Sequence, residues 1–323
     1  MDRMNVLITG GTGVNGVALA RRLVEQKHRP VLLDLRKDLS LMRDIENQVE
    51  LVIGDVCDRD LVEKTIQAFN ITHIAHLAAL MPEAAEADPR LAVKVGIEGT
   101  VNVLEAARAK SIQRVVFTSS KAVYGEIRDR HGPPECVPID EEYRRAPADL
   151  YGVIKVCCED IGAYYRRVYG LEFIALRYAT IYAPGKEVRH GALSFYGQLI
   201  EKARSGETWV LPDGGDQTND TVYVGDVARS IGLALTAEPG DRWVFNIGSG
   251  RASTPREFLD ALAKLFPNHH IRLGRGPSQL GRKKPSFCVF DIAAARQYLG
   301  YEPVYDVEKG VRDYVATLER LGR

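Results

Sequence analysis

Residues Thr9-Gly10-Gly11-Thr12-Gly13-Val14-Asn15-Gly16 decide how the rest of the chain is read. A short β-rich apolar run, Asn5–Thr9, leads into them, and a helical pattern over Gly16–Gln26 leads out. Glycines at such a junction permit a tight turn and let backbone N–H groups approach a pyrophosphate at the positive end of a helix dipole. They stand three and three apart, at 10, 13 and 16, not at the commoner two-and-three spacing. The next strand, Val31–Asp34, ends on an acid 18 residues after Gly16. A carboxylate there accepts both adenosine ribose hydroxyls and repels a 2′-phosphate, which favours NAD, while Arg36 keeps NADP open.

Outward from this turn the alternation continues. Further strands are expected at Val49–Gly54, His73–Leu77, Arg114–Ser119 and Glu172–Tyr178, with helices at Arg59–Phe69, Arg90–Ala109 and Leu150–Tyr169. Apolar strands separated by helices imply a parallel sheet covered on both faces, and right-handed crossovers make it a doubly wound, Rossmann-type α/β fold. From about Pro184 the punctuation becomes Gly/Pro-rich, as in Pro212-Asp213-Gly214-Gly215. The expected division is therefore a cofactor domain over 1–178 and a smaller substrate-binding lobe over 179–323. About 220–245 returns to the first part, with a strand at Asp220–Asp226 and a helix at Val227–Thr236. A helix at Asp291–Leu299, a stop at Tyr301-Glu302-Pro303 and a last helix at Val307–Leu321 complete the lobe.

Among 323 residues, 43 Lys+Arg balance 43 Asp+Glu, so the net charge gives no footprint for nucleic acid or an anionic membrane. Apolar content of 45% and charged content of 27% are those of a globular protein. No apolar run approaches the ~18 residues of a spanning helix, and Met4–Ile8 is too short for a signal-peptide core. The five cysteines (Cys57, Cys136, Cys157, Cys158, Cys288) are odd in number and lack Cys-x-x-Cys spacing. Free thiols in a reducing cytoplasm are expected, and no metal site.

A second constellation carries chemistry. Ser119-Ser120 ends a strand, and Tyr151-Gly152-Val153-Ile154-Lys155 opens a helix. Residues i and i+4 share a helix face, so the ammonium is placed to favour the phenolate and make Tyr151 an acid/base. A serine hydroxyl beside it orients a substrate oxygen.

Together with the glycine turn, these residues resemble the extended short-chain dehydrogenase/reductase family, in its nucleotide-sugar epimerase and dehydratase group. Further matches are Gly54-Asp55-Val56, His76-Leu77-Ala78-Ala79, Thr118–Gly125, Leu176-Arg177-Tyr178, Val222–Asp226 and Asn246-Ile247-Gly248, covering almost the whole chain. The resemblance implies Tyr151 as acid/base, Lys155 on the nicotinamide ribose and lowering the Tyr151 pKa, and Ser120 on the reacting hydroxyl. It implies a cofactor groove from Gly10, Gly13, Val14, Asn15, Gly16, Asp34, Arg36, Asp55, Val56, Leu77, Ala78, Ala79, Tyr151, Lys155, Tyr178 and Thr180. It also implies a homodimer formed through helices near Gly99–Arg108 and Gly152–Tyr165.

Departures from the family pattern bear on the substrate. Lys121-Ala122 replaces the Asp-Glu pair of sugar-nucleotide 4,6-dehydratases, which argues against elimination of water by that route. Gly96 stands where an Asn is usual, Thr180 replaces an Asn, and Asn219 replaces a diphosphate-binding Arg. The late Arg-Pro-Gly-Asp segment is missing, with Gly281-Arg282-Lys283-Lys284 near its place. Losing several diphosphate partners argues for a sugar acid or similar small polar alcohol, bound by Ser120, Lys186, Arg189, His190, Asn219 and Arg282. The leading expectation is an NAD-dependent dehydrogenase acting on such a secondary alcohol. The alternatives are a nucleotide-sugar 4-epimerase with tightly bound NAD, or, from another class, a non-catalytic NAD-sensing scaffold. His76 reads as a satisfied core histidine, His269-His270 as surface loop, and Trp209 and Trp243 as packing.

Overall fold

The computed structural model describes residues 3–132, 135–186, 194–276 and 287–323. Its central sheet has seven strands: β1 Asn5–Thr9, β2 Arg29–Asp34, β3 Glu50–Ile53, β4 His73–His76, β5 Arg114–Ser120, β6 Phe173–Tyr178 and, late in the chain, β10 Val244–Ile247. They lie in the order β3-β2-β1-β4-β5-β6-β10, every pairing parallel. The chain runs from β1 outward to β3 and then crosses back to β4, so the strand order reverses between β1 and β4. Crevices beyond the carboxyl ends of strands at such a reversal are where this architecture binds ligands.

Side-chain alternation splits the interior into two layers. Val6 and Ile8 of β1, with Ala75, Val116 and Ile174, join one core; Leu7, with Ile74, Val115 and Phe173, joins the other. Helices α1 Val14–Glu25 and α8 Val224–Thr236 cover the first, and α2 Arg59–Ala68, α5 Gly99–Ala109 and α6 Leu150–Tyr169 the second. Helix α6 buries Gly152, Ile154, Lys155, Cys158, Glu159, Gly162 and Tyr165, a three-to-four-residue stripe facing β5 and β6.

Two expectations change. The run expected as one helix over Arg90–Ala109 is a helical path in three pieces: α4 Pro89–Val93, a π-turn Lys94–Glu98, and α5. The Gly96 carbonyl in the π-turn accepts Thr100 Oγ1 and the Cys158 thiol (3.2 Å), and a Cβ on Gly96 would lie 2.4 Å from Ile154. The wider turn thus lets the path press directly on α6. Secondly, Asp220–Asp226 does not return to the main sheet as a strand. Its first part, β9 Thr221–Tyr223, pairs in parallel with β7 Thr180–Tyr182 in a separate two-stranded sheet, and α8 begins at Val224. The strand that does return is β10.

The part of the chain after β7 also contains α7 Phe195–Ser205, a β8 Trp209–Leu211 and β11 Ile271–Leu273 pair, α9 Pro255–Leu265, α10 Ala293–Leu299 and α11 Val307–Arg320. Tyr182, Tyr196 and Phe258 fill its centre, with ring centroids 4.4 to 5.1 Å apart. Asp220 fastens it to the sheet: its buried carboxylate accepts the Ser249, Gly250 and Phe290 N–H groups and the Ser249 hydroxyl. No described helix is long and apolar enough to cross a membrane.

Candidate active site

The glycine turn sits at the carboxyl end of β1, and its geometry explains the residue choice. Gly10 has φ +66°, and a Cβ there would lie 2.9 Å from the Ala78 nitrogen. A Cβ on Gly16 would approach the Gly10 and Gly11 carbonyls to 2.7 and 2.6 Å, so glycine lets α1 begin against the turn. Gly13 caps the helix with extended backbone and no side-chain cap, leaving the helix start to a ligand. Beside it, the buried Asn15 Oδ1 lacks a hydrogen-bond partner among the described residues. An open helix start, a cradle that any side chain would fill and an orphaned polar atom together fit a dinucleotide pyrophosphate.

The expected adenosine-side residues line the same edge. Asp34 Oδ2 accepts the Thr12 N–H at 2.9 Å, fixing the acid beside the turn, while Arg36 is exposed. Asp55 accepts the Cys57 N–H, and the Val56 carbonyl accepts Asn102 Nδ2. Thr9 Oγ1 takes the N–H groups of Leu77 and Ala78, clipping the ends of β1 and β4 together. Ala78 and Ala79 line a narrow cleft with Gly96, Phe117, Tyr151 and Lys155, so the cofactor edge and the chemistry are continuous.

Tyr151 is the second residue of α6, whose start is capped by Asp149 accepting the Gly152 N–H at 2.7 Å. Ser120, the last residue of β5, shares a hydrogen bond with the Tyr151 hydroxyl. Lys155 lies one turn on; its Nζ donates to the Thr118 carbonyl at 2.6 Å and sits 5.5 Å from the Tyr151 ring centroid. Burial pushes the Tyr151 hydroxyl up to about 12, partly offset by Ser120. Burial likewise pushes Lys155 down to about 8, against Cys158 and Glu159, which favour its charge. The expected lowering of Tyr151 thus comes in this structure from Ser120, and burial outweighs it.

Other expected residues divide. Tyr178 pairs in register with Ser120, but its side chain is in the core, its hydroxyl 2.9 Å from Ser230 Oγ. Lys186 is buried and its Nζ donates to the Ile181 carbonyl. Arg189, His190 and Arg282 lie outside the described residues. Thr180 and Asn219, which follow β6 and precede β9, are brought together by a residue the motif reading counted only as a missing acid. Lys121 Nζ donates to Thr180 Oγ1 at 2.9 Å and Asn219 Oδ1 at 3.2 Å. Its position directly after Ser120 was the available signal. His76 is a satisfied core histidine, its ring nitrogens 2.7 and 3.0 Å from the Thr9 and Thr100 hydroxyls; burial pushes it down to about 3.

Behind the site lies a polar network that the motifs only touched. Glu159, one turn after Lys155, accepts the Ser119 hydroxyl at 2.6 Å and two guanidinium N–H groups of Arg177 at 2.9 and 2.7 Å. Glu159 is 0% and Arg177 3% exposed. Arg177 also donates to the Tyr124 hydroxyl, which donates to Asn246 on β10. The buried pair is bidentate, the geometry that offsets desolvation best.

Comparison with known proteins agrees with this layout. The chain is 28% identical over 321 residues to a putative UDP-glucose 4-epimerase of Methanocaldococcus jannaschii, covering 98% of this chain and 99% of that one. It superposes on the UDP-glucose 4-epimerase of Thermotoga maritima, solved with UDP-glucose, with TM-score 0.85 and 25% identity, over 99% of this chain and 100% of the other. The UDP-glucose 4-epimerase of Thermus thermophilus, solved with NAD, matches with TM-score 0.80 and 28% identity, over 98% of this chain and 99% of that one. The family model for NAD dependent epimerases and dehydratases matches residues 6–248. With that match over three quarters of its length, the chain belongs to the NAD dependent epimerase/dehydratase family and is an enzyme whose cofactor is NAD.

Proposed function

We propose that the protein is an NAD-dependent 4-epimerase of a nucleoside-diphosphate sugar. The observation that carries this reading is end-to-end likeness to UDP-glucose 4-epimerases in a chain whose Tyr151 and Lys155 line one cleft, with Ser120 hydrogen-bonded to Tyr151. This favours the epimerase reading over the net dehydrogenase of a sugar acid that the lost diphosphate partners suggested.

Bound NAD supplies a reversible hydride acceptor. Tyr151 would accept the proton of the C4 hydroxyl while Ser120 holds that oxygen, with the C4 hydride taken up by the bound cofactor. Tyr151 would give the proton back to the same oxygen when the hydride is returned to the opposite face, so the carbon would be inverted with no net redox change. Lys155, one turn along α6 and donating to the Thr118 carbonyl, would hold the nicotinamide ribose beside Tyr151. Asp34, already orienting the turn through Thr12, binds the adenosine ribose and selects NAD over NADP.

Incubation with UDP-glucose or UDP-galactose, followed by NMR at C4, is expected to show inversion without accumulation of NADH absorbance. Denatured protein should release about one NAD(H) per chain. Tyr151→Phe should lower kcat by roughly 10²–10⁴-fold with NAD retained. Stoichiometric NADH production in place of inversion would restore the dehydrogenase reading. We also propose a homodimer through α6, where exposed Val153 and the neighbouring Val156, Cys157, Ile161 and Tyr164 form an apolar groove. Sedimentation is the check, and a monomer at micromolar concentration would refute it.

A further inference from the structure

A cavity of about 170 Å³ is bounded by other elements than the cleft that Tyr151 and Lys155 line. One wall is α1, another is Tyr223 with the start of α8, and a third is the second half of α11. Leu41 and the Ala183-Pro184 step close it. It thus lies between the helix that follows the glycine turn and the last helix of the chain. An apolar cavity of about 150 Å³ is enough to hold benzene, so a ring-sized body fits here.

The lining has two chemistries. Val17, Ala18, Leu41, Pro184 and Ala228 give it a hydrocarbon wall, while Arg21, Arg22 and Arg320 bring three guanidinium groups against the acids Glu25 and Asp313. Most of these charges have partners. Arg21 and Arg320 both pair with Asp44, at 2.8 and 3.3 Å, Asp313 accepts the Tyr223 hydroxyl, and Glu25 is exposed. Arg22 differs: its Nε is buried without a hydrogen-bond partner among the described residues. Gly232 of α8 admits its stem, because a Cβ there would lie 3.2 Å from Arg22 Nε and 3.6 Å from Cδ. A buried donor without an acceptor is costly, more so on a charged group, and a ligand oxygen relieves it. The same wall carries Val224 and Gly225, the first turn of a 13-residue helix that Tyr223 leaves without a side-chain cap. Its dipole favours negative charge there too.

We propose that this cavity is a binding site for a small amphipathic carboxylate, with its aromatic or short aliphatic body on the apolar wall and its carboxylate on Arg22. The planar guanidinium fork matches a carboxylate, and a bare phosphate would leave the hydrocarbon wall uncovered. The site is distinct from the one proposed for C4 inversion and does not rest on that reading.

The test uses the NAD-loaded protein and ligand-observed NMR titrations with benzoate, hexanoate, benzyl alcohol and inorganic phosphate at constant ionic strength. Concentrations reach about 10 mM, the weakest binding expected of a ligand of about nine non-hydrogen atoms. Benzoate and hexanoate are expected to bind, with benzyl alcohol at least about tenfold weaker than benzoate. Arg22→Met should weaken benzoate by a similar factor and Arg22→Lys by less, while Ala18→Leu, which fills the cavity, should abolish binding. Silence from both carboxylates would overturn the proposal. So would benzyl alcohol binding as tightly as benzoate, or benzoate affinity unchanged in Arg22→Met and Ala18→Leu, which would put the ligand elsewhere. Phosphate binding more tightly than benzoate would overturn the carboxylate class. If neither Arg22→Met nor Ala18→Leu folds, the comparison of benzoate with benzyl alcohol on the wild type decides.

Discussion

In the proposed cofactor site Asp34 would do two jobs with one carboxylate, because the oxygen that accepts the Thr12 N–H also fixes where the other can point. Replacing Asp34 by Ser removes the charge that excludes a 2′-phosphate and loosens the turn. NAD affinity is expected to fall about 10- to 100-fold, the equivalent of roughly 1.5–3 kcal/mol, while discrimination against NADP collapses. Paired NAD and NADP titrations read both effects, and unchanged selectivity would remove Asp34 from its assigned place. Tyr151 illustrates the opposite dependence on surroundings. Its hydroxyl, pushed up to about 12, is fully protonated at neutral pH in the protein alone. The acid/base role proposed for it therefore depends on positive charge delivered next to it when cofactor binds.

At the scale of elements, α6 is the one that places the chemistry, and its position rests on small residues. A Cβ on Gly162 would lie 2.2 Å from the Phe173 ring, so the glycine lets α6 lie directly on β6. Gly162→Ala is expected to cost about 1–3 kcal/mol by overpacking and to lower kcat by displacing Tyr151 and Lys155 together. Urea unfolding combined with turnover checks this, and unchanged stability would show that the helix has room to shift. The same scale shows what could be read from sequence. The β1–turn–α1 unit and the Tyr151/Lys155 pair were legible because spacing within one element sets them. The contact of Lys121 with Thr180 and Asn219 was not, since it joins positions 59 and 98 residues away. Strand β10, four residues long, and the three-residue β7–β9 pair carry too little periodicity to distinguish main sheet from side sheet. The π-turn at Lys94–Glu98 was hidden for another reason: its cause lies in Cys158 and Ile154, on a different helix.

For the whole molecule, Asp220 ties the ends of three separated segments: Asp220 itself before β9, the turn after β10, and Phe290. Burial lifts its carboxyl from 3.8 to about 6, although four hydrogen bonds favour the charge. The native state therefore holds a proton between about pH 4 and 6 that the unfolded chain has released, so this group's contribution to stability falls as pH rises through that window. The stability of wild type minus that of Asp220→Asn should decline from pH 4 to pH 6, by a few kcal/mol at most, and level off above. Urea titrations of both proteins measure it; a difference independent of pH would mean the carboxyl is ionised throughout.

The Glu159–Arg177 pair has a consequence for how a carbon would be inverted in the proposed epimerase. Glu159 on α6 is joined to Ser119 on β5 and Arg177 on β6, and through Tyr124 to Asn246 on β10. Helix and strands are thus bolted into one stationary frame, and Ser120, Tyr151 and Lys155 are mounted on it. A 4-epimerase must show two opposite faces of one carbon to a single hydride donor. In the proposed 4-epimerase, with the proton carrier fixed to that frame, the rotation would fall to the sugar, turning on a pivot supplied by whatever grips its far end.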